Sequence, residues 1–329
     1  MSNGFDPSAS PLYNLKSVKS LARILSVPRD ALLRISETAP HYYRPFDRRK
    51  KYGEGKWRHI ENPIDPLKTI QKQIQRVLFR DISFPIEIVG GVRGRSLQDA
   101  AKPHQRQPDV VTLDIKNFFP STNNKKVYAT IRSAFCCSND VSSILTKLTT
   151  IRRLLPQGAP TSSAIANLVL LPIHAEIVRI AKENGLRCSF FVDDIIISGP
   201  KARENLERVI RVIQRYGYHA PRKKIHKMHS GEPQKVLGHA VNKRITITGD
   251  KFTALHDEIL GLLEQRNVYR YQLQSVRAKI DYVNHMDDML GRHLLNIAQY
   301  LPEDGLEGER PFTGQERPCK SLARHKYDI

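Results

Sequence analysis

The sequence predicts an α+β fold, an antiparallel sheet backed by helices, and three observations carry that expectation. VVTLDI (110–115) is a short apolar run that ends on an acid. RCSFFVDDIIISG (187–199) reads as two apolar strands joined at Asp193-Asp194. Segments of helical apolar spacing surround them, over 67–80, 154–185, 200–216 and 252–301.

In chain order, residues 1–15 are polar and carry Pro and Ser, and Leu15 to Glu37 has helical spacing divided into two helices at Pro28. HYYRPF (41–46) reads as extended. RRKKYGEGKWRHIENP (48–63) reads as a hairpin about a Gly-x-Gly turn, with Lys56, Trp57, Arg58 and Ile60 on the returning strand. Leu67 to Arg80 places Leu67, Ile70, Ile74, Val77 and Leu78 on one helix face. Gly90 to Arg95 is a flexible, doubly basic loop. Such a loop suits close approach to a phosphate backbone, and an ordinary surface loop looks the same. Residues 124–134 and 141–150 read as helices. In 154–185 a loop leads into a long helix, with Pro160 near its start and Gly185 just past its end. KVLGHAVN (235–242) and RITITG (244–249) read as the two strands of a further hairpin. The chain thus divides into an N-terminal helical extension (1–40), a central body (41–250), and a helical C-terminal region with a polar tail (251–329).

The chain has 329 residues, 40% of them hydrophobic, enough for a sizeable core. Lys and Arg number 53 against 33 Asp and Glu, a formal charge of +20, which points to a polyanionic partner. The N-terminus does not read as a signal peptide, and no stretch approaches the ~18 apolar residues of a spanning helix. No membrane is therefore expected, and nucleic acid is the polyanion that remains. Cys136, Cys137, Cys188 and Cys319 form no C-x-x-C pair, which fits a reducing cytoplasm and argues against a zinc site.

The sharpest feature is the pair of adjacent acids in FFVDDIII. Carboxylates between buried strands are unfavourable unless solvated, paired or bound to metal. A solvated hairpin turn explains the pair alone. Asp114, however, ends another apolar strand about 80 residues earlier. Two-metal phosphoryl transfer needs carboxylates converging from separate strands, and magnesium takes oxygen ligands.

The segments around these acids resemble the ordered motifs of reverse transcriptases: LDIKNFFPS (113–121), LPQGAPTSSAIANLVL (155–170), FVDDIIIS (191–198), GYHAPRKKIH (217–226) and KVLGHAV (235–241). Within that superfamily the chain most resembles the retron-type bacterial reverse transcriptases, through WRHIENP followed by LKTIQ and through Ala101 and His104 of a partly kept Asn-Ala-x-x-His segment. It departs from that pattern at Val236-Leu237-Gly238, where Val-Thr-Gly is expected, and at Phe191-Val192, where Tyr-Ala is usual. The resemblance implies a right-hand polymerase: fingers and a palm with an antiparallel sheet within 41–250, and a helical thumb with the tail in 251–329.

It also implies roles. Asp114, Asp193 and Asp194, with the Ile115 carbonyl, would hold two Mg2+ ions, with Mn2+ as a possible substitute. Phe119 would lie below the incoming sugar and exclude a 2′-hydroxyl, although a core phenylalanine fits the position too. Gln157 and Gly158 would line the nucleotide pocket, and Arg58, with Lys56 near it, would reach the triphosphate. Lys224 would protonate the leaving pyrophosphate, with Lys223 its immediate competitor. Gly238 would approach the primer, and Arg93 and Arg95 the primer or RNA; His104 reads as structural or RNA-facing.

The implied function is an RNA-directed DNA polymerase that copies a structured non-coding RNA with dNTPs. It would start from an RNA 2′-hydroxyl, hold an RNA–DNA duplex, and act in antiphage defence beside an effector protein. Two alternatives stay open: another defence-associated reverse transcriptase with a different template or primer, and an RNA-binding scaffold or sensor whose catalysis is secondary.

Overall fold

The computed structural model describes residues 4–49, 57–308 and 316–318. Helices α1 (Val18–Ile24) and α2 (Arg29–Thr38) part at Pro28, whose ring cannot continue the first and which caps the second. Strands β1 (Tyr43–Arg49) and β2 (Trp57–Pro63) pair antiparallel, while Lys56 and the Gly-x-Gly turn lie outside the described residues. Helix α3 (Leu67–Gln73) passes into a π-turn over Ile74–Leu78. Then come α4 (Leu97–Ala101), β3 (Asp109–Asp114), α5 (Phe118–Ser121), α6 (Asn124–Phe135), α7 (Asn139–Thr149) and the long α8 (Ser162–Glu183). The hairpin β4 (Arg187–Phe191) and β5 (Asp194–Ser198) follows, then α9 (Leu206–Arg215) and β6 (His226–His229). Short strands β7 (Lys235–Val236), β8 (His239–Ala240) and β9 (Thr246–Ile247) lead to helices α10 (Gly249–Leu263), α11 (Arg270–Met286) and α12 (Asp288–Ala298). Strand β10 (Glu316–Pro318) pairs with β1.

The antiparallel sheet β4-β5-β3-β6 lies at the centre of this α+β fold. Val110, Val111, Leu113 and Ile195 to Ile197 are buried on its two faces, which is why both segments read as unbroken apolar runs. Helix α8 packs behind it, with the His174 ring stacked on Phe190 at 4.0 Å between centroids. By length and composition α8 could cross a membrane, against the expectation that no such stretch exists. In this fold 72% of that window is buried, and α8 is the core helix of the sheet.

His104 staples the hairpin from the side. Its Nδ1 lies 2.7 Å from Ser198 Oγ on β5 and its Nε2 lies 2.8 Å from Ser189 Oγ on β4. It is fully buried, so of the two expectations for it the structural one holds. One large core runs from Leu12 to Ala220 and takes in α1 and α2. A second, around Ile259, Val276 and Leu294, joins α10, α11 and α12. Arg244 and Thr246 both donate to the buried Asp287, at 3.0 and 2.9 Å, and tie the β8–β9 region to these helices.

Local expectations are corrected in several places. KVLGHAVN is not one strand: Leu237 (φ +48°) and Gly238 (φ +81°) turn it into the β7–β8 hairpin, and RITITG adds β9. Two successive left-handed residues are the geometry of a tight two-residue hairpin turn. The helix over 67–80 ends its regular part at Gln73, and that over 200–216 begins at Leu206. Strand β6 and helix α4 went unforeseen.

Burial holds both His104 and His174 neutral, their pKa lowered to about 3. The unfolded chain binds protons at these rings below pH ~6.5 and the folded one does not, so each removes stability as pH falls from ~6.5 towards 3. His174→Phe should keep the stack on Phe190 and flatten this acid loss by up to ~1.4 kcal/mol per pH unit, read by urea unfolding at pH 4 to 7. An unchanged slope would mean that His174 does not resist protonation.

Candidate active site

Strand β3 ends at Asp114, which sits directly opposite Asp194, the first residue of β5. Opposed residues in an antiparallel pair project to the same face with Cβ atoms ~5 Å apart. Phe191 faces Asp194 from β4, so Val192 and Asp193 alone form the turn. The Ile115 N–H donates to the Asp193 carbonyl at 3.1 Å, tying that turn to the end of β3. Val192 is left-handed at φ +58°, an uncommon conformation for a β-branched residue, and the surroundings hold it there.

That support comes from Gly90. Its N–H and that of Val89 both reach the Phe190 carbonyl, at 3.2 and 2.8 Å. A Cβ on Gly90 would stand 2.6 Å from Val192 N and 2.7 Å from Phe191 C, so no other residue fits without displacing the turn. Asn167 on α8 donates to the Gly90 carbonyl at 2.7 Å and fixes the loop from behind. Neither Gly90 nor Asn167 was singled out from sequence. Asn167 lies within the LPQGAPTSSAIANLVL segment, so a signal for it was present.

The acids are short of countercharge. Burial, with the Asp114 charge adding to it, pushes Asp193 up to about 6. Burial, with the charges of Asp193 and Asp114, pushes Asp194 up to about 7. Lys224 and Arg58 oppose both shifts. Lys224 is the last residue of a 3-10 turn (Arg222–Lys224) and its Nζ bonds Asp114 Oδ2. Both lysines are exposed, but among the described residues Lys223 is in no salt bridge, so the contact with Asp114 distinguishes Lys224 from its neighbour. Among the described residues no three His, Cys, Asp or Glu side chains converge as ready metal ligands in this conformation. The donor set still suits a hard divalent cation: carboxylates from two strands and a turn, two of them raised by burial and by the charge of their acidic neighbours.

The remaining candidates divide. Gln157 accepts at its carbonyl from Glu61 N–H at 2.9 Å, and Gly158 (φ +110°) presses against Ile60, so this loop is docked on β2 beside Arg58. Phe119 is half-buried in α5, its ring edge-on to Phe118 at 5.4 Å. Arg93 is exposed. Lys251 passes over Gly238, where a side chain would otherwise stand. Arg95 is corrected: it turns inward and donates to the Phe84 carbonyl at 2.8 Å and to those of Pro85 and Ile88, so its fork braces the loop and is not presented to primer or RNA. With Gly90 buried and Arg95 bound, the loop is anchored rather than flexible.

A raised carboxylate opposes folding in its ionised form, so this penalty is absent at pH 4, grows as pH rises, and is complete above about 7. Asp194→Asn should therefore raise the melting temperature at pH 8 by about 2–4 °C and leave it unchanged at pH 4. Mg2+ should raise the melting temperature of the wild type at pH 8 and not that of the variant. Equal effects of the substitution at both pH values would contradict the assignment of charge strain.

A family profile described as "Reverse transcriptase (RNA-dependent DNA polymerase)" matches residues 49–241, more than half of the chain. The chain is 34% identical over 209 residues to the retron Se72 reverse transcriptase of Salmonella heidelberg, covering 62% of this chain and 55% of that protein. It is 24% identical over 291 residues to the retron Ec86 reverse transcriptase of Escherichia coli, covering 87% and 90%. With the retron Mx65 reverse transcriptase of Myxococcus xanthus the figures are 27% over 278 residues, 74% and 64%. The match thus spans little more than half of the first relative and nearly all of the second. The chain belongs to the reverse transcriptase family of RNA-dependent DNA polymerases, in its retron group.

Proposed function

We propose that this chain is a right-hand polymerase that adds deoxyribonucleotides to a primer end on an RNA template. The observation that carries the reading is Asp114 opposite Asp194 with Asp193 in the adjoining β4–β5 turn, which brings three acidic positions to one end of the sheet. In this reading residues 1–40 are an extension packed into the main core, 41–250 fingers and palm, and 251–329 thumb and tail. Two Mg2+ ions, or Mn2+ in their place, held by Asp114, Asp193, Asp194 and the Ile115 carbonyl would ease ionisation of the primer hydroxyl and neutralise charge on pyrophosphate.

The protein's own groups do the rest. Arg58, whose charge already reaches Asp193 and Asp194, binds triphosphate oxygens through its planar fork. Gln157 and Gly158 hold the nucleotide from the loop docked on β2. Phe119 meets the sugar and excludes a 2′-hydroxyl. Lys224 Nζ, beside Asp114, gives its proton to the leaving pyrophosphate oxygen. Gly238 and the β7–β8 turn bring backbone against the primer strand.

The relatives' names say that they are retron reverse transcriptases, and a finer reading rests on the chain's resemblance to that group. The template is a structured non-coding RNA, priming starts from an RNA 2′-hydroxyl, and the enzyme acts in the cytoplasm in antiphage defence with an effector protein.

Primer extension on RNA with dNTPs and Mg2+ tests the core of this. Asp193→Asn should abolish extension, and a variant with wild-type rates would sink the proposal. Lys224→Ala should lower the extension rate by about 100-fold while Lys223→Ala has little effect. Equal losses would remove the proton-donor assignment. Phe119→Ala should raise ribonucleotide incorporation by about ten-fold or more; unchanged sugar discrimination would return Phe119 to a packing role. A branched RNA–DNA product supports 2′-hydroxyl priming, and linear cDNA alone counts against it.

A further inference from the structure

A cavity of about 510 Å3 opens between the π-turn after α3 and the Gly90–Arg95 loop, apart from the acidic rim. Arg76, Arg80 and Arg93 line it, and so do Phe84 and Val92. All three arginines are exposed; Arg80 reaches Asp81 only at 3.8 Å, and Arg76 and Arg93 are in no salt bridge among the described residues. Gln75 lines the same cavity, and its Oε1 has no hydrogen-bond partner among the described residues.

We propose that this cavity binds one unpaired nucleotide of the template RNA strand, ahead of the residue being copied. The volume falls in the range of small-ligand sites, ~300–1,000 Å3. Three guanidinium groups around an apolar floor suit a flanking phosphate and a base lifted out of its stack. The Gln75 amide can meet a base edge, because it offers both donor and acceptor. A duplex keeps its bases paired and stacked, so none can enter such a hollow, and an unpaired nucleotide is the better fit.

Position argues the same way. The loop that forms one wall continues from Gly90, whose backbone abuts the turn carrying Asp193. In the polymerase reading the cavity belongs to the fingers, so a template strand approaching the acids past the Gly90 loop meets it before it is copied. The inference rests on the polymerase reading above.

The test uses a synthetic RNA template and primer with 4-thiouridine placed in turn along the template overhang and within the duplex. After irradiation, cross-linked peptides are mapped in the wild-type protein. One overhang position, or two adjacent ones, should cross-link to the segments bearing Gln75 to Phe84 or Val92 and Arg93. Cross-links there from duplex positions, or none from the overhang, would overturn the proposal.

Two variants add binding data on the same RNA. Arg76→Ala/Arg93→Ala should weaken binding to the overhang substrate about ten-fold and reduce its log K against log salt slope by about 1.4, leaving blunt duplex unchanged. Val92→Trp should fill the hollow and remove the position-specific cross-link with an unchanged melting temperature. Equal loss on blunt and overhang substrates would count against an unpaired-nucleotide site. If wild-type protein shows the cross-link but never extends a primer, the polymerase reading fails and the template assignment with it, leaving the cavity a site for unpaired RNA. Extension without the cross-link keeps the polymerase reading and overturns the cavity assignment.

Discussion

The antiparallel pairing of β3 with β5 is the constraint on which the molecule turns, because it sets Asp114 across from Asp194. A slip of one residue would send every side chain of β3 to the opposite face. Both faces of these strands are buried, at Val110, Val111 and Leu113 on β3 and Ile195 to Ile197 on β5, so close packing rather than an apolar–polar alternation holds the register. His104 adds a directional lock between β4 and β5 that apolar packing cannot supply. Helix α8 then covers the sheet from behind and sends Asn167 to the loop under the turn.

The charge distribution runs against the chain's overall character. A protein with a formal charge of +20 gathers three acids at one sheet end, where Lys224 and Arg58 are their positive neighbours among the described residues. The packed sheet holds together groups that repel one another, so stability is given up locally in return for a place that attracts cations. Elsewhere the excess of positive charge is left for a polyanion. Within the basic loop the arginines split between these tasks, Arg95 bonded to carbonyls and Arg93 to solvent.

How much of this could be read beforehand depended on what each element buries. Strands β3, β4 and β5 were legible because both sheet faces are covered, which leaves continuous apolar runs next to their acids. Strand β6, HKMH, lies at the sheet edge and is largely exposed, so it carries no such pattern. The β7–β8 turn was hidden because Leu237 is apolar and adopts a left-handed conformation that its type does not announce. Arg95 was misjudged since side-chain charge says nothing of direction; a guanidinium serves buried carbonyls as readily as phosphates. Lys224 and Lys223 are set apart by the contact with Asp114. Helix α8 shows the converse, an apolar segment whose burial only the tertiary structure reveals.

The contact between Gly90 and the Val192 backbone carries one consequence for engineering. The position of Asp193 and Asp194 depends on a hydrogen atom where other residues carry carbon, about a hundred residues earlier in the chain. Grafting the FFVDDIII hairpin onto another sheet would therefore transfer the ligands without their backstop. A working transplant would have to bring along the Gly90 loop and an amide in the place of Asn167, so the smallest portable unit is discontinuous in sequence.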